Sequence, residues 1–266
     1  MSFAVSISIL SLIQAALVAL PQLRRSDWLG AFRSRWWALL PALSIVVVIA
    51  IVELESESAT VLSWLALVAV PPSAALALGW LVRGARPAGA LAAVPLFALA
   101  WASPGSLAGE AAATALTALG CVGLGWLLVS VAPAGWLKLG IYAMAAVDTW
   151  YVATNLLQGP NAVLTAAAPA GLPRLQAVHF GSAQMGFGDL FVAATLGCLL
   201  AGVRTRQRHA ALLVAILALA FDLLFFALDT LPATVPVALA LALIEWRERN
   251  APTSRSDPSR SQLGSL

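Results

Sequence analysis

Long apolar runs dominate this chain, and charged or turn-forming residues punctuate them at intervals close to the thickness of a bilayer. A helix needs about 20 mostly apolar residues to cross the hydrocarbon. On that ruler the pattern predicts about nine spans, at roughly 3–20, 36–52, 60–82, 88–103, 111–132, 136–157, 182–203, 209–229 and 231–246. The fold class expected is therefore all-α, a polytopic membrane domain over residues 1–249. The segment that follows, "NAPTSRSDPSRSQLGSL", is rich in Ser, Pro and Arg and has little to bury, so residues 250–266 are expected to form a disordered polar tail.

Composition supports the same solvent. Hydrophobic residues make up 61% of the chain and charged residues 10%, too apolar a balance for a water-soluble globule of this length. The basic residues then orient the spans, because short cytoplasmic loops collect Lys and Arg during insertion. Fourteen of the fifteen fall in alternate loops or the tail: Arg24, Arg25, Arg33, Arg35, Arg83, Arg86, Lys138, Arg204, Arg206, Arg208, Arg247, Arg249, Arg255 and Arg260. The opposite loops hold Glu53, Glu55, Glu57, Glu110 and Asp229, with Arg174 as their one basic residue. This places the N-terminus outside and the C-terminus in the cytoplasm. The first run has no basic residue before it, so it reads as a retained span and not a cleavable signal peptide. One Lys against many Arg and Ala, with no N-x-S/T sequon, leans toward a prokaryotic plasma membrane.

Several chemistries find no support. The charge of +3 is explained by topology, and no basic stripe with interleaved aromatics suggests nucleic acid. Cys121 and Cys198 lie within spans without CxxC spacing, and His179 and His209 stand alone at span ends, so neither a metal site nor a cofactor is expected. The segment "GCVGLG" at 120–125 follows no strand; its small residues suit close helix packing.

What remains is a set of carboxylates at membrane depth, each costing about 2.5–3.5 kcal/mol at a helix centre on insertion scales. They are Asp148, Asp189 and Asp222. With span six ending near Leu157 and span seven starting near Ser182, Asp148 falls roughly 14 Å and Asp189 roughly 10 Å below the outer boundary. On consecutive antiparallel helices the two are within a turn of the same depth. Two carboxyls sharing a low-dielectric site cannot both ionise cheaply, so such a pair supplies an acid and a base together. A pair of that kind can activate water against a peptide carbonyl. Gly186 and Gly188 remove bulk beside Asp189, leaving room for span six or for an extended substrate. Asp222, in "AFDLLFFALDTLP", is nearer a span exit and is read as structural, reaching interfacial water or a neighbour.

These residues resemble a known family, the GxGD intramembrane aspartyl proteases, which comprise the presenilins and signal peptide peptidases. In that family a YD motif on the sixth of nine spans and a GxGD motif on the seventh supply the catalytic aspartates, and a PAL motif opens the ninth. Here span six reads "AAVDTWYVATN", span seven "QMGFGDLFVAA" and span nine "LPATVPVAL". The resemblance implies that Asp148 and Asp189 are catalytic, that Gly186, Phe187 and Gly188 complete the second motif, and that Pro232, Ala233 and Thr234 take the PAL position. Val147 stands where the family has tyrosine and Thr234 where it has leucine. The prepilin peptidases also use GxGD, but with a lysine where this chain has Phe191.

An outside N-terminus is similar to the signal peptide peptidases and opposite to the presenilins. The implied partners are membrane lipid and transmembrane-helix or remnant signal-peptide substrates, with no nucleic acid. Because a substrate helix hides its peptide groups in internal hydrogen bonds, it must unwind locally before attack, and the resemblance implies that the PAL segment helps to hold it extended. Pro232 and Pro236, lacking N–H groups, break the helix start there. Two other readings use the same residues: an ion- or proton-coupled transporter or channel, and an inactive relative.

Overall fold

In a computed structural model of the chain, the structure describes residues 1–24, 29, 31, 34–39, 56–154, 171–226, 228 and 230–250. The described residues are mostly helical, with 77% helix and 5% strand, so the all-α expectation holds only coarsely. The helices are α1 (Phe3–Ala19), α2 (Ser56–Leu76), α3 (Ala93–Ala102), α4 (Leu107–Val131), α5 (Ala134–Ala153), α6 (Phe187–Leu200), α7 (Arg204–Asp222) and α8 (Val235–Asn250). Between α5 and α6 lies a hairpin of β1 (Ala177–Phe180) and β2 (Ala183–Gly186), paired antiparallel with Phe180 opposite Ala183.

Among the described residues, three stretches are long and apolar enough to cross a membrane: Thr60–Leu81, Leu107–Val131 and Arg204–Phe226. Phe3–Ala19, Pro87–Ala102 and Phe187–Leu200 are apolar but shorter. Most of the expected second span lies outside the described residues, as do Asp229 and the tail from residue 251. Prolines account for part of the irregularity. Pro71 and Pro72 sit inside α2, which passes into a π-helical turn over Ala77–Leu81, and a 3-10 stretch, Pro87–Ala92, precedes α3. A proline inside a helix removes a donor and crowds the preceding carbonyl, so one uniform span is not expected to continue through it.

The centre of the fold is α4 and α6. Helix α4 packs against α2, α3 and α6, while α6 also meets α1, α5, α7 and α8. Glycines make these approaches possible. A Cβ at Gly123 on α4 would lie 2.5 Å from the carbonyl oxygen of Ser73 on α2, and one at Gly197 on α6 would lie 2.5 Å from that of Leu17 on α1. The "GCVGLG" segment is thus a packing surface, as the sequence suggests. Cys121 and Cys198 are buried free thiols within this core.

The hairpin is the main departure from expectation. Residues 182–186 read as the start of a span because Ala183 and Met185 are apolar, yet these two alternate with exposed Gln184 and Gly186, a period of two that suits a strand. Gly181 turns the chain with φ +61, and a Cβ there would overlap the Ser6 hydroxyl. The tip is tied down at both turn residues. Gly181 N–H donates to Glu110 Oε2 at 2.8 Å, and Ser182 N–H donates to Ser6 Oγ at 3.3 Å.

Candidate active site

The hairpin relocates Asp189. Helix α6 starts at Phe187, five residues later than the expected Ser182, so Asp189 stands in its first turn instead of two turns down. Its Oδ2 accepts the Gly186 N–H at 3.1 Å, satisfying one of the donors that every helix start leaves open. A carboxylate at this end of a helix also meets the positive pole of the backbone dipoles. Asp189 lies about 3 Å of helix from the start of α6, and Asp148, five residues before the end of α5, about 8 Å from that end.

The two carboxylates line one cavity of about 1160 Å³ and are close enough to interact electrostatically. Gly186, Phe187, Gly188 and Ala233 line it as well. Gly188 faces α5: a Cβ there would lie 2.7 Å from the terminal methyl of Met144, one turn before Asp148. The space left beside the second motif is therefore partly occupied by α5. Phe187 stacks on Phe191 with ring centroids 6.3 Å apart, and its carbonyl lies 3.9 Å from the Cys121 thiol.

The third segment reaches the first aspartate directly. Thr234 is fully buried; its hydroxyl donates to Asp148 Oδ2 at 2.6 Å, and its N–H lies 3.4 Å from the same oxygen. Thr234 is the residue that departs from the family's leucine. Pro232 is buried in the turn before α8, where its carbonyl accepts the Val235 N–H at 3.2 Å, and it does not line the cavity. At the far ends of the same helices, Lys138 pairs with Glu245 at 2.8 Å and the Tyr142 hydroxyl donates to Glu245 at 3.2 Å. Helices α5 and α8 are thus joined at two levels. Thr149, an alternative partner for Asp148 in the sequence, instead donates to the Ala145 carbonyl at 2.7 Å; Asn155, the other, lies outside the described residues.

A residue of α1 completes the arrangement. Gln14, 1% exposed, donates from Nε2 to the Ala233 carbonyl at 2.8 Å and to the Asp189 carbonyl at 3.3 Å. One amide therefore links the second motif to the third. The signal was present in the sequence as the longest polar side chain of an apolar run, the kind of residue that bonds across helices. Asp222 reaches a neighbour, its Oδ1 accepting the Ser11 hydroxyl at 3.0 Å, and it lines the same cavity as the other two carboxylates. His179, on β1, lines the same cavity, and burial holds its imidazole below the ordinary range, with Arg174 adding to that effect and Glu110 opposing it.

No protein-family model, curated protein or solved structure matches this chain.

Proposed function

We propose that this chain is an intramembrane aspartyl protease of the GxGD type, with about nine spans, an outside N-terminus and a cytoplasmic C-terminus. The observation that carries the reading is the meeting of three separate sequence segments at one cavity: Asp148 on α5, Asp189 on α6, and Ala233, whose neighbour Thr234 bonds to Asp148. Shared ancestry with the presenilins and signal peptide peptidases is part of the proposal and would account for the spacing of those segments.

The chemistry is hydrolysis of a peptide bond inside a transmembrane helix or remnant signal peptide. The ionised carboxyl of the pair takes a proton from water as the water oxygen bonds to the peptide carbon, while the protonated carboxyl donates to the carbonyl oxygen. Collapse of the resulting tetrahedral carbon breaks the C–N bond, and the nitrogen leaves with a proton returned from the pair. No cofactor enters any step. The substrate must present an extended backbone, and β2, one strand of a two-stranded sheet, ends at Gly186, three residues before Asp189. A two-stranded sheet leaves an edge on which an unwound segment can pair, replacing the helical hydrogen bonds it gives up.

The test is cleavage of a synthetic transmembrane peptide by the full chain in lipid vesicles. Asp148→Asn and Asp189→Asn should each abolish cleavage while the protein remains folded by circular dichroism. Proton or ion flux that responds to the same substitutions, without any proteolysis, would establish the transporter reading instead.

A further inference from the structure

The proposed mechanism uses two of the three carboxylates in the cavity and leaves Asp222 without a task. Its setting is costly. Asp222 ends α7 and is followed by a 3-10 turn, Leu223–Phe226, so it stands in the last turns of the helical run, where the backbone dipoles present their negative pole and a cation, not an anion, is favoured. Ser11, itself 3% exposed, bonds Oδ1, whereas Oδ2 is buried with no hydrogen-bond partner among the described residues. Neither of the Lys or Arg ion pairs found among those residues involves Asp222. A carboxylate oriented by a dedicated donor, lining a largely apolar cavity and lacking a countercharge among the described residues, is arranged to receive one.

The position of Asp222 along the helix narrows the class of occupant. Helix α7 begins among Arg204, Arg206 and Arg208 and reaches Asp222 after eighteen residues, about 27 Å, close to the thickness of the hydrocarbon. Asp222 therefore stands near the membrane boundary opposite the basic face. At that level the long stems of Lys and Arg lie along apolar surface while their charged heads reach polar surroundings. Phe225, one turn beyond Asp222, also lines the cavity and offers apolar surface for such a stem.

We propose that Asp222, oriented by Ser11, is a specificity subsite of the catalytic cavity that binds a lysine or arginine side chain of the substrate helix near its outer end. The substrate class is thus a transmembrane segment with a cationic residue flanking its outer end, a refinement that rests on the proteolytic reading above.

The experiment compares two synthetic transmembrane peptides, identical except for lysine or norleucine at the first position beyond the apolar run on the outer side, with the full chain in phosphatidylcholine vesicles. The lysine peptide should be cleaved with kcat/KM about tenfold higher, the scale of one hydrogen bond to a charged group. That ratio should fall to about one in Asp222→Asn and to an intermediate value in Ser11→Ala. Since each ratio is measured within one protein, loss of folded protein cancels. Equal kcat/KM for the two peptides in the unsubstituted protein, or a preference that survives in Asp222→Asn, would overturn the subsite. If neither peptide is cut, the proteolytic reading has failed, and energy-transfer measurements of peptide binding in the same vesicles decide separately. Tighter binding of the lysine peptide, lost in Asp222→Asn, supports the subsite, and equal binding refutes it.

Discussion

Replacing Thr234 by valine keeps the shape of the side chain and removes one atom's function, the hydroxyl that donates to Asp148 Oδ2 at 2.6 Å. Thr234 is fully buried, so water does not readily take over that bond. The backbone N–H of residue 234 stays at 3.4 Å from the same oxygen, too long to hold the carboxyl alone. A hydrogen bond to a charged group is worth about 1.5–3 kcal/mol, which converts to a loss of roughly ten- to a hundredfold if it orients Asp148 for the reaction. The assay is kcat and KM for a fluorogenic transmembrane peptide in vesicles, with thermal unfolding followed in parallel. Thr234→Val should lower kcat within that range with a smaller effect on KM, and Thr234→Ser, which keeps the hydroxyl, should recover most of the loss. Thr234→Leu tests the departure from the family's motif and should resemble Thr234→Val. Valine and serine variants that cleave alike would show that the bond to Asp148 is incidental.

Gln14→Leu leaves the Ala233 and Asp189 carbonyls without their shared donor, so unfolding should become easier by about 1–3 kcal/mol and cleavage should fall with it; a leucine variant as stable and active as the parent would refute the linking role. His179 gives a pH dependence whose sign is fixed. Its folded pKa is depressed, mainly by burial, so the unfolded chain binds more protons: the stability it contributes is complete above about pH 6.5 and is lost as pH falls through the folded value. Unfolding temperature should therefore decline on acidification from pH 7 to pH 5, and the decline should be shallower in His179→Gln; identical slopes in the two proteins would remove His179 as the cause. Topology is open to cysteine labelling, because both native thiols are buried: Glu55→Cys and Thr165→Cys should react from outside, Ala85→Cys and Thr205→Cys from the cytoplasm. Labelling of Thr165→Cys only from the cytoplasm would reverse the orientation.

The elements that sequence reading located well are those whose signal is long and apolar. Helices α1 and α4 fall within a few residues of expectation because nothing inside them competes with a continuous apolar run. Residues 182–186 were misread for a physical reason: hydropathy averaged over a span-length window cannot separate two buried strand positions from the first turn of a buried helix. The alternation at 183–186 and the Gly181-Ser182 pair before it were the evidence for a hairpin. The carboxylates themselves were legible, since a charge in an apolar run stands out whatever the fold. Their partners were not. Nothing in the sequence joins Gln14 to Ala233 or Ser11 to Asp222, because those pairs depend on how α1 packs against α6 and α7.

The relocation of Asp189 also changes the energetics of the site. Read as lying two turns down a span, the residue would carry the full cost of a charge in hydrocarbon, and only an opposing gain in function would explain it. In the structure, Asp148, Asp189 and Asp222 all lie within about a turn and a half of a helix end, and Thr234 lies in the turn that begins α8. A helix start leaves backbone N–H donors unpaired, and a carboxylate beside one can accept them. Asp189 accepts one such donor, from Gly186, and Asp148 faces another, from Thr234. The strand before α6 and the turn before α8 therefore act in two ways: each interrupts an apolar run, and each supplies a donor to the carboxylate beside it, the Gly186 N–H to Asp189 and chiefly the Thr234 hydroxyl to Asp148. A continuous helix through 182–200 would pair the Gly186 N–H internally and leave Asp189 without that donor, which is why the hairpin and the aspartate belong to the same design.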